Sequence, residues 1–348
     1  MIIYQEDEFM KKGIIGAGNW IQDRVKTIDR WPGEGNLCNI VKEEAAPGGG
    51  PANVLFDLNA ADPSLPLYAA GRLGNDNEGD YLLEEITKRG INADNIIRTN
   101  DRTSYTDVMS GEGKRTFFHC RGANAQLCYE DLCDIDAPAK YFYLAYLLLL
   151  DTLDSFDPEF GTQAVKLLKH MSEKGYETVV DFVSEAPEKF RAKVIPALPF
   201  IDHLIVNEVE TACCTGCRLR DDDGKLLWQE LPGAVKFLFE KGVRKTAVIH
   251  FPEGACAGLP DGTYIYVPSF DIAKADIVGS NGAGDAFCAG VMYGLHENWT
   301  LKDCLALGGA FSNFNLRSAT ASGGAVTLKT MLEFMKDAPL SPLPDGMK

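Results

Sequence analysis

Positive charge is scarce in this sequence. Its 348 residues include 34 lysines and arginines against 50 aspartates and glutamates, which leaves a formal net charge of −16 at pH 7. Nucleic acids and anionic membrane surfaces are usually bound through basic patches. We therefore expect neither nucleic acid nor a membrane as a partner, while the 45% hydrophobic content is sufficient for a full core.

Long apolar runs are also missing. The longest, Tyr141 to Leu150, has ten residues, which is too short to span a bilayer and is typical of a buried strand. The N-terminal stretch, Met1 to Asp7, lacks the basic and then apolar pattern of a secretory signal. We therefore expect a cytoplasmic protein.

Two further patterns are incomplete. Ten cysteines in a chain of this size do not indicate a disulfide framework. Their only cluster, Cys213, Cys214 and Cys217, has no second Cys or His pair to complete a zinc site, so we favour small core residues on a helix.

The stretch Gly16 to Gly18 starts a dinucleotide-binding fingerprint whose third glycine would fall at Ile21. This failure counts against an NAD-dependent oxidoreductase.

The stretch Asn281 to Phe287 carries the strongest functional signal. It follows a strand-like run, Tyr264 to Val267, and leads into a helix-like run, Ala286 to His296. The small residues Gly282, Ala283 and Gly284 permit a tight turn that exposes backbone N–H groups, and the helix dipole adds a positive end. This combination predicts an anion site, with phosphate as the usual anion.

Asp285 stands inside this predicted anion site. A carboxylate there repels phosphate unless it has a chemical role, and the natural role is to take a proton from a hydroxyl that attacks the phosphate. The alternative is an N-cap aspartate on an ordinary helix that follows a glycine turn.

Two earlier segments provide candidate ligand contacts. Gly48 to Gly50 precede Pro51, which suits a first helical turn, and Asn53, whose amide both donates and accepts as a polyhydroxyl ligand requires. Asp23 follows the predicted strand Lys12 to Gly18 at an end where α/β folds bind ligands. A plain glycine-rich loop and a surface-turn aspartate are the alternatives.

The remaining pattern predicts one α/β domain over residues 1–348. From Tyr141 onward strand and helix runs alternate, which indicates βαβ units and a mostly parallel sheet. Two hairpins, in segments of about 24–46 and 103–121, are expected to form a small sheet that covers the site.

Asn207 and Glu210 follow the strand-like run His203 to Val206. An amide and a carboxylate at a strand end can hold hydrated Mg²⁺ beside phosphates. The same spacing also fits a capping box at the start of a helix.

Taken together, these segments resemble the ribokinase-like family, also called the PfkB carbohydrate kinases. The resemblance covers nearly the whole chain in the family's order. The matching positions are Asp23; Gly49, Gly50 and Asn53; Gly71 to Gly79; Gly122, Ala123 and Asn124; Asn207 and Glu210; and Gly282, Ala283, Gly284 and Asp285.

The resemblance implies a three-layer α/β fold, with a mainly parallel central sheet flanked by helices and a small β-sheet lid. It implies transfer of phosphate from ATP, with Mg²⁺, to a sugar-like hydroxyl. The amides of 282–284 would stabilise the phosphoryl group and Asp285 would be the base. Glu210 would hold Mg²⁺ through water, with Asn207 also on the ATP side. Asp23, Gly49, Gly50, Asn53 and Asn124 would contact the acceptor.

Several positions depart from the family pattern. Gly279 stands where relatives often carry an aspartate linked to a monovalent cation, so we expect weak or no potassium activation. In the expected nucleotide loop only Gly254 matches, and Gly309 stands where relatives often carry Asn or His near the adenine. No glutamate ends the strand at 141–148, where ribokinase has a sugar contact, and Asp151 is near but not equivalent.

The acceptor stays open between a neutral sugar, a nucleoside and a sugar acid or sugar phosphate. Arg121 is a candidate contact for an anionic acceptor, with a solvated lid residue as the alternative, whereas for Arg115 we favour the solvated lid. A relative that binds ligand without catalysis is a rival hypothesis. The retention of Asp285, Glu210 and Asp23 argues against it.

We also expect a homodimer that forms through the lids. Ile28, Trp31, Phe117 and Phe118 are more apolar than a solvated sheet needs, and ribokinase pairs in this way. The alternative is a monomer in which these residues cover the substrate.

Overall fold

The computed structural model describes residues 13–112 and 114–343. The strands are β1 (Gly13–Gly18), β2 (Ile21–Ile28), β3 (Ile40–Gly48), β4 (Leu67–Gly74), β5 (Asn92–Thr99), β6 (Tyr105–Gly111), β7 (Lys114–Cys120), β8 (Ala139–Leu147), β9 (Phe156–Asp157), β10 (Gly161–Thr162), β11 (Glu177–Phe182), β12 (His203–Asn207), β13 (Thr246–Phe251), β14 (Gly254–Gly258) and β15 (Tyr264–Pro268). The α-helices are α1 (Gly50–Ala61), α2 (Asn77–Lys88), α3 (Tyr129–Leu132), α4 (Gln163–Glu173), α5 (Pro187–Lys189), α6 (Glu208–Thr215), α7 (Leu231–Glu240), α8 (Ala283–His296), α9 (Leu301–Asn315) and α10 (Leu328–Asp337). Short 3₁₀ turns cover Gly122–Gln126, Ile195–Phe200, Trp228–Glu230 and Lys274–Asp276, and a π-helical turn covers Phe190–Val194.

A nine-stranded sheet in the order β15-β14-β13-β12-β11-β8-β1-β4-β5 organises the chain. The pairs from β13 through to β5 are all parallel, and β14 and β15 add an antiparallel edge. The predicted, mainly parallel sheet is therefore confirmed. Its parallel strands end at one common edge, where ligands bind in folds of this kind.

Helices cover both faces of this sheet because successive strand residues point in opposite directions. Along β8, Phe142 and Leu144 belong to one buried apolar cluster, while Tyr141 and Tyr143 belong to the other. The first cluster includes α4 and α7, and the second includes α1, α8 and α9. The three-layer arrangement predicted from the sequence is therefore confirmed.

Helices α8 and α9 pack at close range in the second layer. A Cβ added at Gly290 would lie 2.8 Å from the Cα of Gly308, so only glycine permits this backbone approach. The packing fixes the axis of α8, whose first turn carries Asp285.

A separate four-stranded sheet, β3-β2-β6-β7, forms the lid. Strands β2 and β3 form one hairpin, β6 and β7 form the other, and β2 pairs with β6 in parallel. The two predicted hairpins and their joint sheet are confirmed. At the root of the second hairpin, Asp76 accepts hydrogen bonds from the amide of Thr103 at 2.8 Å and the amide of Gly79 at 2.9 Å.

The four apolar residues of the lid differ in how much of their surface is exposed. Ile28 is buried, with 6% of its surface exposed. Trp31 is half-buried, and its indole N–H donates to the Gly111 carbonyl at 2.8 Å. Phe117 and Phe118 are 55% and 57% exposed. Ile28 therefore packs inside the lid, whereas Phe117 and Phe118 lie on its surface.

Two strands of the nine-stranded sheet are missing from the sequence prediction, and one predicted residue cannot be placed. Strand β5 is largely polar, and β14, with the sequence Gly-Ala-Cys-Ala-Gly, has no β-branched residue. Both depend on pairing with a neighbour rather than on intrinsic propensity. Lys12 of the predicted first strand lies outside the described residues. Within the described ranges, no helix is long and apolar enough to cross a membrane.

Candidate active site

The first turn of α8 and the glycine before it have the backbone geometry predicted for an anion site, and we call residues 282–285 the anion turn. Gly282 adopts a left-handed conformation, with φ of 76°, directly before the helix. The first full helical bond joins the Ala286 amide to the Gly282 carbonyl at 2.8 Å. The amides just before Ala286 therefore have no partner within the helix, as at any helix start. They face the same space as the positive end of the helix dipole.

Asp285 is buried in this turn and both its carboxylate oxygens accept hydrogen bonds. Asn53 donates its Nδ2 to Oδ2 at 2.8 Å, and the Tyr146 hydroxyl donates to Oδ1 at 2.7 Å. Burial raises the pKa of Asp285, and the two hydrogen bonds oppose that rise. The fold therefore brings the predicted base and the predicted amide of α1 together across 232 residues of sequence.

Asp23 links the lid to the same turn. It lies on β2, and the Nδ2 of Asn281 donates to its Oδ2 at 3.1 Å. Its pKa is raised to about 6: burial is the main cause, the Asn281 hydrogen bond opposes the rise, and the charge of Asp285 adds to it. The predicted strand-end aspartate is thus held near Asp285, and it is not a solvated turn residue.

The glycines before α1 approach protein atoms closely. A Cβ at Gly48 would lie 2.5 Å from Oδ2 of Asp23, and one at Gly50 would lie 2.5 Å from the Cβ of Ala145. A Cβ at Gly49, whose φ is 86°, would collide with the Asn19 carbonyl oxygen. The close approach predicted for this loop is therefore explained by packing between α1, β2 and β8. Acceptor contacts of Gly49 and Gly50 remain a prediction.

Several buried amide oxygens around this loop have no hydrogen-bond partner among the described residues. They are Oδ1 of Asn19, Asn53 and Asn124, and Asn19 also has an unpartnered Nδ2. The Nδ2 of Asn124 donates to the Trp20 carbonyl at 2.9 Å. Unpaired buried polar atoms are costly unless a ligand or water satisfies them. Sequence analysis missed Asn19, although its place directly after the glycine end of β1 was the available signal.

Asn207 and Glu210 form a reciprocal capping box at the start of α6. Oδ1 of Asn207 accepts from the Glu210 amide at 2.8 Å, and Oε2 of Glu210 accepts from the Asn207 amide at 3.1 Å. The Ser184 hydroxyl donates to Oε1 of Glu210 at 3.2 Å. The capping interpretation is therefore confirmed. Because protein donors already engage both oxygens, a metal role for Glu210 is compatible with contact through water.

Glu210 also belongs to a group of buried acids. Burial raises its pKa to about 7, and burial together with Glu210 raises the pKa of Asp181 well above its ordinary value. Clustered buried carboxyls with raised pKa values are frequent at functional sites. A bound cation would favour their ionised forms.

A cavity of about 470 Å³ adjoins the anion turn. Ala283 and Gly284 form part of its wall, and both predicted nucleotide-side glycines, Gly254 and Gly309, line it. The volume lies within the usual range for small-molecule sites. Phe270, His250 and Asn313 also line it, and sequence analysis missed all three.

His250 lies beneath the anion turn. A Cβ at Gly284 would be 3.2 Å from its Cε1, so glycine leaves just enough room for the imidazole. Burial lowers the pKa of His250 to about 4. The ring is therefore neutral at physiological pH and adds no charge to the anion site.

The two lid arginines take different positions. Arg121 donates to Oδ1 of Asp151 at 2.7 Å in a partly exposed ion pair, so its charge is already engaged. The guanidinium of Arg115 lies against Gly279, where any side chain would collide with it. Arg115 is half-buried and packs beside the segment that leads to the anion turn. The effect of Gly279 on potassium activation stays a prediction.

Comparison with known proteins gives concordant results. A family model described as pfkB family carbohydrate kinase matches residues 20–327. A protein of Pyrococcus horikoshii named as a sugar kinase is 25% identical over 315 residues, which cover 87% of this chain and 90% of that protein. The adenosine kinase of Saccharomyces cerevisiae is 26% identical over 249 residues, 68% of each chain. The structure of Arabidopsis thaliana ribokinase with ribose and ATP matches with a TM-score of 0.73 at 21% identity, over 94% of this chain and 99% of that one.

Proposed function

The chain belongs to the pfkB family of carbohydrate kinases, and we propose that it transfers the γ-phosphoryl group of ATP to a hydroxyl of a small sugar-like acceptor, with Asp285 as general base. The observation that carries this proposal is the buried Asp285 carboxylate in the anion turn, beside the cavity and tied to α1 through Asn53. A base in that position serves proton removal from a hydroxyl that attacks a bound phosphate.

In the proposed reaction, the acceptor hydroxyl gives its proton to Asp285 as its oxygen attacks the γ-phosphorus. The bond from that phosphorus to the β–γ bridging oxygen breaks, and ADP leaves with the electron pair. The backbone of Gly282, Ala283 and Gly284 stabilises negative charge on the phosphoryl oxygens. Closure of the lid excludes water, which otherwise competes as acceptor.

ATP is assigned to the cavity lined by Gly254 and Gly309, with its phosphates toward Gly284 and with Asn207 on the phosphate side. Magnesium bound to the phosphates would neutralise part of their charge. Glu210, whose two oxygens already accept protein hydrogen bonds, would hold the ion through water. The raised pKa of Glu210, at about 7, fits a carboxyl that needs a nearby cation to ionise.

The acceptor is assigned to the buried polar side chains between the lid and α1. Asp23, Asn53 and Asn124 supply the anchoring groups, with Gly49 and Gly50 at the loop between them. Their unpartnered amide oxygens suit the hydroxyl donors of a sugar or a nucleoside. A sugar acid is the weaker alternative because Arg121 is paired with Asp151.

A screen of ATP consumption tests the proposal. The acceptor panel contains neutral sugars, nucleosides, sugar acids and sugar phosphates. ATP consumption with each acceptor is measured for the unmodified protein and for Asp285→Asn prepared in the same way. We expect one class of neutral polyhydroxyl acceptor to be turned over only by the unmodified protein. Equal ATP consumption by both proteins across the whole panel would refute the proposal.

Glu210→Gln should raise the Mg²⁺ requirement by about 10- to 100-fold, the usual cost of altering an outer-shell group. Glutamine keeps the capping hydrogen bond to the Asn207 amide and loses only the charge. The measurement is the apparent Mg²⁺ activation constant at saturating ATP. As a control, Glu177→Gln removes a partly buried carboxylate that is paired with Lys245 and lies outside the cavity assigned to ATP. Unchanged Mg²⁺ activation in Glu210→Gln would remove Glu210 from the metal assignment.

We further propose a homodimer that packs through the lids. Phe117 and Phe118 are exposed on the edge strand β7, and Ile40 and Val41 are exposed on the opposite edge strand β3. Apolar edge strands are unusual unless a partner covers them, and two-fold dimers are the commonest assembly.

Light scattering at micromolar concentration should give a dimer mass for the unmodified protein and a monomer mass for the Phe117→Glu, Phe118→Glu double variant. Phe156→Glu is the matched control, because Phe156 is 78% exposed and lies outside the lid. Ile28, being buried, is unsuitable as a probe. A monomer mass for the unmodified protein, or a dimer that survives the double variant, would place any interface elsewhere.

A further inference from the structure

Tyr146 lies near the carboxyl end of β8, and its hydroxyl donates to Oδ1 of Asp285 at 2.7 Å. We propose that Tyr146 is a positioning residue for the base: it fixes the carboxylate plane together with Asn53 and keeps Asp285 ionised for the acceptor hydroxyl. This inference rests on the proposed function of Asp285. It concerns a residue that sequence analysis did not select.

The surroundings of Asp285 make such a donor necessary. The titratable groups that face it from the packed elements are acids, phenols and a thiol: Asp23 on β2, Asp57 on α1, Tyr143 and Tyr146 on β8, Asp181 on β11, Glu210 on α6 and Cys288 on α8. The neutral His250 lies beneath Gly284. No lysine, arginine or histidine of residues 13–112 and 114–343 hydrogen-bonds to Asp285. Its charge is therefore stabilised by two neutral donors, Asn53 and Tyr146.

The two donors restrain different atoms from different elements. Asn53, on α1, holds Oδ2 at 2.8 Å, and Tyr146, on β8, holds Oδ1. Restraint of both oxygens fixes the rotation of the carboxylate and leaves one lone pair on each oxygen for an incoming hydroxyl. A base held in this way meets its substrate proton without reorganisation.

The Tyr146 ring is itself held by packing. A Cβ at Gly50 would lie 3.1 Å from its Cε1, so the start of α1 closes against the ring. Burial raises the pKa of the Tyr146 phenol well above its ordinary value. The hydroxyl therefore stays protonated throughout the working pH range and acts as a donor.

The first test is the pH dependence of turnover in Tyr146→Phe. Loss of a donor to a carboxylate destabilises the ionised form and raises its pKa. We expect the acid limb of the kcat profile to move up by about one to two pH units. Turnover should then fall about tenfold or more below that limb and recover at high pH, while KM for ATP stays close to that of the unmodified protein.

Tyr143→Phe is the matched control. Tyr143 is a buried tyrosine of the same strand, and its hydroxyl makes no hydrogen bond to Asp285. We expect this control to leave the acid limb in place. An equal shift in both variants would show a packing effect and overturn the inference, as would an unshifted limb in Tyr146→Phe.

A second measurement does not depend on activity. The Asp285 carboxyl is titrated by carbon NMR in protein with labelled aspartate, and its signal is assigned by its absence from Asp285→Asn. We expect a higher pKa in Tyr146→Phe than in the unmodified protein and in Tyr143→Phe. Identical titration in all three overturns the inference. If the expected shift appears but no acceptor is phosphorylated, the positioning role stands and the proposed function fails.

Discussion

Asp285→Asn should abolish phosphoryl transfer, with a loss in kcat of about 10²- to 10⁴-fold. Asparagine has nearly the same shape and can still accept from Asn53 or Tyr146, but it cannot take a proton from the acceptor hydroxyl. The measurement is product formation under saturating ATP and acceptor. ATP affinity, measured by calorimetry, should change little because the amides of the anion turn are retained.

The stability of this variant has a definite sign. Burial raises the pKa of Asp285 above its ordinary value of 3.8, so the folded state holds the proton more tightly than the unfolded chain does. Stability is therefore lost as the pH rises from that ordinary value through the raised folded pKa. Asparagine does not ionise, so Asp285→Asn should unfold at the same or a higher temperature than the unmodified protein at pH 7.

Asp57→Asn provides the control for Asp285→Asn. Asp57 is buried on α1 near Asp285, and burial and the charge of Asp285 raise its pKa well above its ordinary value. Both causes favour the protonated carboxyl, for which asparagine is a close replacement. We expect most activity to remain. Turnover close to that of the unmodified protein in Asp285→Asn would exclude Asp285 as the base.

Gly282→Ala should reduce kcat by about 10²- to 10³-fold, the usual effect of losing a preorganised donor for developing negative charge. Gly282 has φ of 76°, and a Cβ there would lie 2.7 Å from the Cβ and 2.8 Å from the Cα of Ala321. Alanine is disfavoured in this conformation, and the clash is with backbone that cannot move freely. The turn must therefore shift, and its amides no longer meet the phosphoryl oxygens.

Gly262→Ala separates the conformational cost from the catalytic effect. Gly262 also has a left-handed φ, of 89°, but an added Cβ there meets nothing within 4 Å. The left-handed alanine should cost each variant about 1 to 2 kcal/mol of unfolding free energy, measured by denaturant titration, and Gly282→Ala should lose more because of its clash with Ala321. Only Gly282→Ala should lose activity. Activity within a few-fold of the unmodified protein in Gly282→Ala would show that the turn is not the anion site.

The local parts of the site could be predicted from the sequence. The glycine turn and helix start at 282–285, the helix after Gly49 and the two lid hairpins depend on residues that are neighbours in the chain, and backbone sterics and short-range hydrogen bonds determine such features. The capping box of Asn207 and Glu210 also depends on residues close in the chain, and their spacing predicts both a helix start and a carboxylate near the metal. Only the structure showed that the capping bonds form.

The contacts between site residues that are distant in the sequence were decided by tertiary structure alone. Asn53 and Asp285 meet because β1 and β8 are adjacent in the sheet and α1 packs on α8, and no local pattern records a pairing over 232 residues. In the sequence, Tyr146 is indistinguishable from the other apolar residues of a buried strand. Only the structure shows that its hydroxyl donates to Oδ1 of Asp285. Arg115 and Gly279 similarly show their contact only when the lid lies over the anion turn. The sequence by itself determined the local conformations and the order of the motifs. Sheet order, register and helix packing decided which side chains share the buried site, because these depend on the summed packing of distant segments.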